Sequence, residues 1–235
     1  MLTEQDYKDG QILLIDKPLQ WTSFQVVNKL RWLIRKNFGI KKIKVGHAGT
    51  LDPLASGLLI ICTGKFTKRI QEFMGQTKEY TGTITLGATT PSYDLETEVD
   101  ETFAIDHISE EGIISTTKKF IGEIEQYPPV FSALKKNGKR LYEYAREGEE
   151  VKISARKITI EEFEITRIEL PEVDFRVVCG KGTYIRSLAH DFGKSLQSGA
   201  HLSALRRTKI GEFSVADAID PETFENQLRI EIETT

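Results

Sequence analysis

The chain has 235 residues, 39% hydrophobic and 29% charged, with 32 Lys and Arg against 35 Asp and Glu and a net charge of −3. This composition fits a folded globular chain and excludes a disordered one, and no apolar run approaches the roughly 20 residues of a membrane span. Two cysteines, Cys62 and Cys179, sit in apolar strand-like runs and read as buried free thiols of a reducing compartment; with a polar, acidic N-terminus and no secretory signal, a cytoplasmic protein is expected.

In chain order, residues 11–16 form a short apolar strand ended by Lys17-Pro18, where Lys17 is either a phosphate contact or a strand-end cation. Ser23 is the predicted cap of a helix over residues 24–38, in which Val26, Val27, Leu30, Leu33, Ile34 and Phe38 recur at helical spacing and face a core. Trp21 and Trp32 read as packing. Residues 46–57 then read G-H-A-G-T-L-D-P-L-A-S-G, with His47 and Asp52 among small and apolar neighbours. Pro53 biases Asp52 away from helical dihedrals, so Asp52 is expected on a stiff, non-helical turn. Leu51 and Leu54 are expected to shield it partly from water, and a carboxylate so placed must be paired or shift its pKa. The plain alternative is an Asx-type turn joining two elements.

Residues 58–62 read as a buried strand. Gly64-Lys65 fails as a phosphate-binding loop, because the glycine spacing is too long and Phe66 stands where Ser or Thr is needed. A short helix is predicted from Thr67 to near Gly75, then a strand over 78–86 with Tyr80, Ile84 and Leu86 on its buried face. Residues 87–101 are polar and turn-rich and include Asp94. An amphipathic helix is predicted over 108–121, an extended stretch over 127–130 and a helix over 139–147. Residues 151–170 are strand-like, with a phase change at Glu161-Glu162 that predicts a bulge. A strand over 173–179 ends in the turn Gly180-Lys181-Gly182-Thr183, which feeds a helix over 184–196 whose N-terminus suits a phosphate. Arg186 falls in that helix's first turn, the unfavourable end for a cation, and calls for a carboxylate or phosphate partner. His190 and Asp191 are adjacent on this helix and make a poor metal pair. A last strand over 203–213 and a short acidic helix beginning at Asp217 and Pro221 complete a single α+β domain without a regular βαβ repeat.

The net charge argues against a nucleic-acid partner, but its distribution argues for one. Residues 17–51 hold eight Lys or Arg and no acid, residues 128–142 four and residues 192–211 four more, again without acid, whereas residues 79–117 hold no Lys or Arg. A phosphate backbone responds to the local field rather than the total. Three acid-free basic runs predict a polyanion-binding face.

The 46–57 stretch resembles the catalytic motif of the TruB-type tRNA pseudouridine-55 synthases, in which a G-T-L-D-P run carries the aspartate. Four further blocks resemble the same family in the same order, within residues 11–213: Leu13 to Pro18; Ser132 to Lys135 with Gly138 to Arg146; Lys181 to Arg186; and Gly199 to His201 with Leu205 to Arg207. The resemblance implies a pseudouridine synthase fold, a mixed, mainly antiparallel sheet flanked by helices with the active site in a basic cleft. It implies roles by position. Asp52 is the catalytic aspartate, Tyr80 stacks on the target base, and Arg186 pairs with the aspartate. His47 enters the RNA loop as the base flips out, and Tyr184 and Leu205 line the uracil pocket. Lys17 belongs to the first matching block and keeps its place as a substrate contact.

Two departures stand out: Gly180 replaces a frequent Ser, and only the short acidic segment 214–235 follows where many members continue into a PUA domain. The resemblance therefore implies a monomeric isomerase of the T-arm stem-loop of tRNA, with no guide RNA, no metal and no cofactor, since isomerising uridine needs neither a redox change nor a group donor. The carboxylate has three routes open to it: attack on the uracil ring, attack on the sugar carbon, or support of a glycal-forming elimination. A non-catalytic tRNA-binding and folding protein is the alternative. Asp52 together with Arg186 weighs against it, since binding alone needs no carboxylate near phosphates. A metal-dependent hydrolase using His47, Asp52, His190 and Asp191 lacks ligand spacing.

Overall fold

The computed structural model describes residues 2–132, 134–136, 138–149 and 151–233, with side chains described up to residue 228; Ala133, in the second matching block, lies outside the described residues. Helix α1 (Glu4–Asp9) leads into strand β1 (Ile12–Lys17), helix α2 (Ser23–Phe38), β2 (Val45–His47) and β3 (Ala55–Thr63). A 3₁₀ turn (Gly64–Arg69) runs into α3 (Ile70–Gly75) and β4 (Lys78–Leu86). Short strands β5 (Ala88–Thr89) and β6 (Glu101–Thr102) precede α4 (Glu110–Thr117) and β7 (Gly122–Gln126). The small pair β8 (Lys135–Lys136) and β9 (Lys139–Arg140) comes before α5 (Leu141–Arg146). Then follow β10 (Arg156–Glu169), β11 (Glu172–Cys179), α6 (Ile185–Ser195), β12 (Ala200–Ile210), β13 (Phe213–Ser214) and α7 (Pro221–Glu233).

The sequence predicts one domain; the chain condenses into two compact units, Met1–Tyr80 with Arg206–Thr235, and Thr81–Leu205. It passes from one to the other inside β4 and β12, so neither a linker nor a shift of composition marks the boundary.

In the first unit β3 runs antiparallel to β1, with Leu14 opposite Ile60, and to β2, with His47 opposite Ile61. It is buried on both faces, which is why its apolar run is continuous. Leu59 and Ile61 join Val26, Leu30 and Ile34 of α2, Ile15 of β1 and Phe224 of α7 in one core cluster; Leu58, Ile60 and Cys62 join Ala48, Phe73 and Ile210 in another. Each such fully buried aliphatic side chain contributes about 1.5–3 kcal/mol. Helix α2 starts one residue earlier than predicted. Thr22 caps it through a box with Gln25, and Gly39 ends it in the left-handed conformation. Trp21 packs against the first cluster, but Trp32 is half exposed, with the Lys29 and Lys36 ammonium groups 5.5 and 4.8 Å from its ring.

In the second unit β10 pairs antiparallel with β7 and β11. The β10–β11 register slips between Ile160 and Glu162, where the phase change predicts a bulge, and again between Ile165 and Arg167. Phe120, Phe163, Phe175 and Phe192 pack with ring centroids 5.4 to 6.2 Å apart, seating α6 through Phe192. Isolated parallel bridges at Ile15–Ile219 in the first unit and Asp94–Leu202 in the second complement the antiparallel ladders. Among the described residues no helix is long and apolar enough to cross a membrane. Both cysteines are free and buried, and burial pushes the Cys62 thiol up to about 11.

Candidate active site

Between β2 and β3, in the first unit, the backbone of residues 48–55 is fixed at nearly every step. The hydroxyl of Ser23 donates to the Leu51 carbonyl at 3.1 Å and accepts from the Leu51 N–H at 2.9 Å. Ala48 N–H donates to the Ile60 carbonyl, Ala55 N–H to the Asp52 carbonyl and Gln20 N–H to the Pro53 carbonyl, at 2.9, 3.1 and 2.7 Å. Gly49 takes φ 101°, a conformation its missing side chain permits. Asp52 is thereby held half-buried on a non-helical turn. Leu51 is buried beside it, whereas Leu54, expected to shield it too, is 37% exposed.

One buried cation, Arg207, supports this loop, and a second, Lys17, interacts electrostatically with Asp52. Arg207, 1% exposed, donates from Nε to the Leu58 carbonyl at 2.8 Å and from Nη2 to the Gly49 carbonyl at 3.1 Å. Lys17 is fully buried, and its Nζ donates to the carbonyls of Pro18 and Trp21 at 2.9 and 2.6 Å. Of the two roles expected for Lys17, phosphate contact or strand-end cation, the buried position offers a phosphate no exposed surface. Burial pushes its pKa down to about 8, with the Asp52 carboxylate opposing and Arg207 adding to the fall, so at neutral pH Asp52 faces a charged ammonium. His47, at the end of β2, has its pKa lowered by burial and then by Arg207, against the Gly49 backbone. That shift favours the neutral imidazole.

In the second unit, Arg186 in the first turn of α6 is 5% exposed. Its Nη1 donates to the Ser92 carbonyl at 3.2 Å, and its Nε lies 3.5 Å from Asp94 Oδ2, which supplies the carboxylate that its position calls for. The Asp94 loop is itself knotted: the Asp94 carbonyl accepts from Thr90 Oγ1 and Ser92 Oγ, and its Oδ1 from the Glu96 N–H. Tyr93, at φ 64°, stacks on His190 with centroids 3.8 Å apart. Tyr184 precedes α6, and the buried amide of Gln126 grips it by accepting from its N–H at 2.8 Å and donating to its carbonyl at 3.1 Å. One of the donors that a phosphate at this helix end would use is thus taken.

His47, Asp52 and Lys17 therefore gather around one loop of the first unit, and Tyr184 and Arg186 around the start of α6 in the second. Tyr80 lies on β4, 9% exposed, and Leu205 half-buried on β12, each the last residue before the chain changes unit.

Residues 35–185 match the family model for TruB family pseudouridylate synthase (N terminal domain), and residues 186–234 match that for the tRNA pseudouridylate synthase B C-terminal domain. The chain belongs to the TruB family of pseudouridine synthases. Among curated members it is 65% identical over 229 residues to tRNA pseudouridine synthase B of Flavobacterium johnsoniae, covering 97% of this chain and 100% of that one. It is 56% identical over 219 residues to the enzyme of the same name from Phocaeicola vulgatus, covering 93% of each. Among solved structures it matches a chain of a Cbf5–Nop10–Gar1 complex with TM-score 0.66 at 34% identity over 91% of its length. It matches a chain of an H/ACA RNP bound to a substrate RNA containing 2′-deoxyuridine with TM-score 0.71 at 30% identity over 98% of its length. The chain spans only 52% and 57% of those two solved chains.

As a TruB-family enzyme the chain is an isomerase that converts uridine to pseudouridine in tRNA. Sequence reasoning missed four residues that shape its candidate site: Ser23, Arg207, Asp94 and Gln126. Ser23 left a signal, since Thr22 offers the same helix a cap and frees the next hydroxyl for another task. Asp94 left a weaker one, as an acid in a turn-rich stretch. Nothing in the local sequence marks Gln126 or Arg207 as buried supports, because their partners lie 58 and 149 residues away.

Proposed function

We propose that the uridine isomerised is the one at position 55 in the T-loop of tRNA, recognised by a monomer on the T-arm stem-loop without a guide RNA. Asp52 is the catalytic carboxylate. Tyr80 stacks on the flipped base, Arg186 contributes positive charge to the reaction centre, Tyr184 and Leu205 line the uracil pocket, and His47 fills the space that the base leaves. In the reaction the bond from the sugar C1′ to uracil N1 breaks, a bond from C1′ to C5 forms, the C5 proton is lost and N1 gains a proton. The product is an isomer of the substrate. A nucleophile divides this exchange into two easier steps.

The observation that carries the reading is the Asp52 turn. A carboxylate is held half out of water by its own backbone contacts, next to a buried ammonium that favours its charged form. A turn that merely joins two strands needs neither. The neutral form favoured at His47 supports the insertion role, since an uncharged ring enters a base stack without carrying an ion out of water. The base must first leave that stack, at roughly a few kcal/mol. The test is Asp52→Asn on a T-arm hairpin. Pseudouridine formation is expected to fall below detection while the hairpin Kd stays within about twofold, roughly 0.4 kcal/mol. Multiple turnover by this variant, or a modified uridine elsewhere in the hairpin, refutes the reading.

A further inference from the structure

A second feature of the first unit lies outside the catalytic loop. Between the C-terminal half of α2, the segment of residues 39–45 and the 3₁₀ turn after β3 runs an open groove of about 520 Å³, continued by a second hollow of about 330 Å³ that shares Lys42, Ile43, Lys44 and Thr67 with it. Besides Lys8 and Lys65 at its far end, its charges are the six cations Arg31, Arg35, Lys41, Lys42, Lys44 and Lys68, and among the described residues no carboxylate lines either part. Among the described residues none of these six cations has a carboxylate partner. Arg31 and Arg35 are held by neutral groups instead: Arg31 donates to the Val45 carbonyl and Asn28 Oδ1, and Arg35 to the Ile40 carbonyl. Only at the far end do acids intervene, where Lys65 pairs with Asp9 and Lys8 with Glu4.

The segment carrying the lysines is not a loose loop. Its sequence alternates, and Ile40, Ile43 and Val45 pack into or against the first core cluster while Lys41, Lys42 and Lys44 stay exposed. The Lys44 carbonyl accepts from Gly64 N–H at 2.9 Å, and Ile40 N–H donates to the Arg35 carbonyl at 3.1 Å, so both ends are pinned. Unneutralised cations crowded on a rigid segment repel one another, and a chain of net charge −3 has acids available to relieve them. That none of the described acids is placed here points to a polyanion as the partner of these cations. Pre-organisation also lowers the ordering cost of binding one.

The groove's position identifies the polyanion. Val45 and Gly46 line it, and the next residue of β2 is His47, so along the backbone the groove ends about one strand residue, roughly 3.3 Å, before the residue proposed to enter the target loop. We infer that this groove seats the phosphate backbone of the RNA duplex that leads away from the modified loop. It is a stem-binding track distinct from the residues that handle the uridine, reading charge and helical spacing rather than sequence.

The test compares two hairpins carrying the same target loop, one with a stem just long enough to close it and one with a stem a full helical turn longer. Their Kd values are measured against salt for the unaltered protein, for Lys41→Gln/Lys42→Gln/Lys44→Gln, and for a control with three exposed lysines of the second unit replaced, Lys118→Gln/Lys119→Gln/Lys157→Gln. The unaltered protein is expected to bind the long hairpin more tightly. The groove variant is expected to lose about tenfold of that advantage and about two to three units of salt slope on the long hairpin, close to one unit for each phosphate that is no longer neutralised. The control is expected to keep both. An unchanged long-to-short ratio in the groove variant, equal weakening of both hairpins, or the same loss in the control overturns the inference. The inference rests on the T-loop reading, but the two fail separately: pseudouridine formation in the same hairpins tests that reading alone, whereas the Kd ratio reads the groove whether or not the base is modified.

Discussion

Lys17 combines complete burial with a charge, and its titration is therefore visible in stability. Its pKa in the folded chain, about 8, lies below the ordinary lysine value of 10.5. Between these values the unfolded chain binds more protons than the folded one, so this residue makes stability rise with pH across that window and contributes no slope below it. Denaturant unfolding at intervals from pH 7 to 10.5 should show the rise in the unaltered protein and its loss in Lys17→Met; parallel curves for the two proteins would contradict the buried, charged lysine. The same substitution removes the ammonium that Asp52 faces, so the acidic limb of the kcat/KM profile should move to higher pH. Ser23→Ala deletes both hydrogen bonds to Leu51. It should cost about 1–3 kcal/mol of stability through the unsatisfied buried backbone. The looser Asp52 turn should lower kcat by roughly ten- to a hundredfold, with KM for a T-arm hairpin little changed. Unaltered kcat would show that the turn keeps its shape without the clamp.

At the scale of elements, two junctions carry the geometry. Strand β3 accepts its neighbour closely only because residue 57 has no side chain: at φ 104°, a Cβ there would lie 2.3 Å from the Arg207 carbonyl oxygen. Gly57→Ala should destabilise the first unit by several kcal/mol, from strain and displacement of the Arg207 support together, read as a lower unfolding midpoint or as insoluble protein. A wild-type midpoint would show that β12 yields easily. The start of α6 depends on Gln126, whose two hydrogen bonds hold Tyr184 one residue ahead of the helix and two residues ahead of Arg186. Gln126→Leu leaves both backbone groups of Tyr184 without that partner and should destabilise by about 1–3 kcal/mol. If Tyr184 lines the uracil pocket, KM for the hairpin should rise more than kcat falls. Equal loss in both would place Gln126 in stability alone.

For the molecule as a whole, charge is sorted rather than abundant. The lysines and arginines of residues 17–51 supply the buried Lys17 and, separately, the exposed groove, so one basic run serves two purposes that composition cannot distinguish. The reaction rearranges bonds within one nucleotide and consumes no donor. Activity on a hairpin that folds without magnesium should therefore survive excess EDTA. Loss of turnover on chelation, restored by one particular divalent ion, would refute this.

Local chemistry made much of the chain legible. Periodicity marked α2, β3, β4, β10 and β11, a phase change marked the β10 bulge, and the 46–57 stretch marked the Asp52 turn and carried the family resemblance. These are properties of neighbours in sequence, fixed by dihedral preference and side-chain direction. Other features were settled only by folding. Ser23 became a clamp because Thr22 took the cap, Lys17 lost its surface to burial, and Trp32 stayed exposed where packing was expected. Asp94 reached Arg186 from 92 residues away, and the chain closed two compact units through strands that show no boundary. Which carbonyl satisfies a buried cation, and which carboxylate a helix-start arginine meets, depends on segments that only the tertiary fold brings within hydrogen-bond range. One sequence read alone carries no trace of those distances.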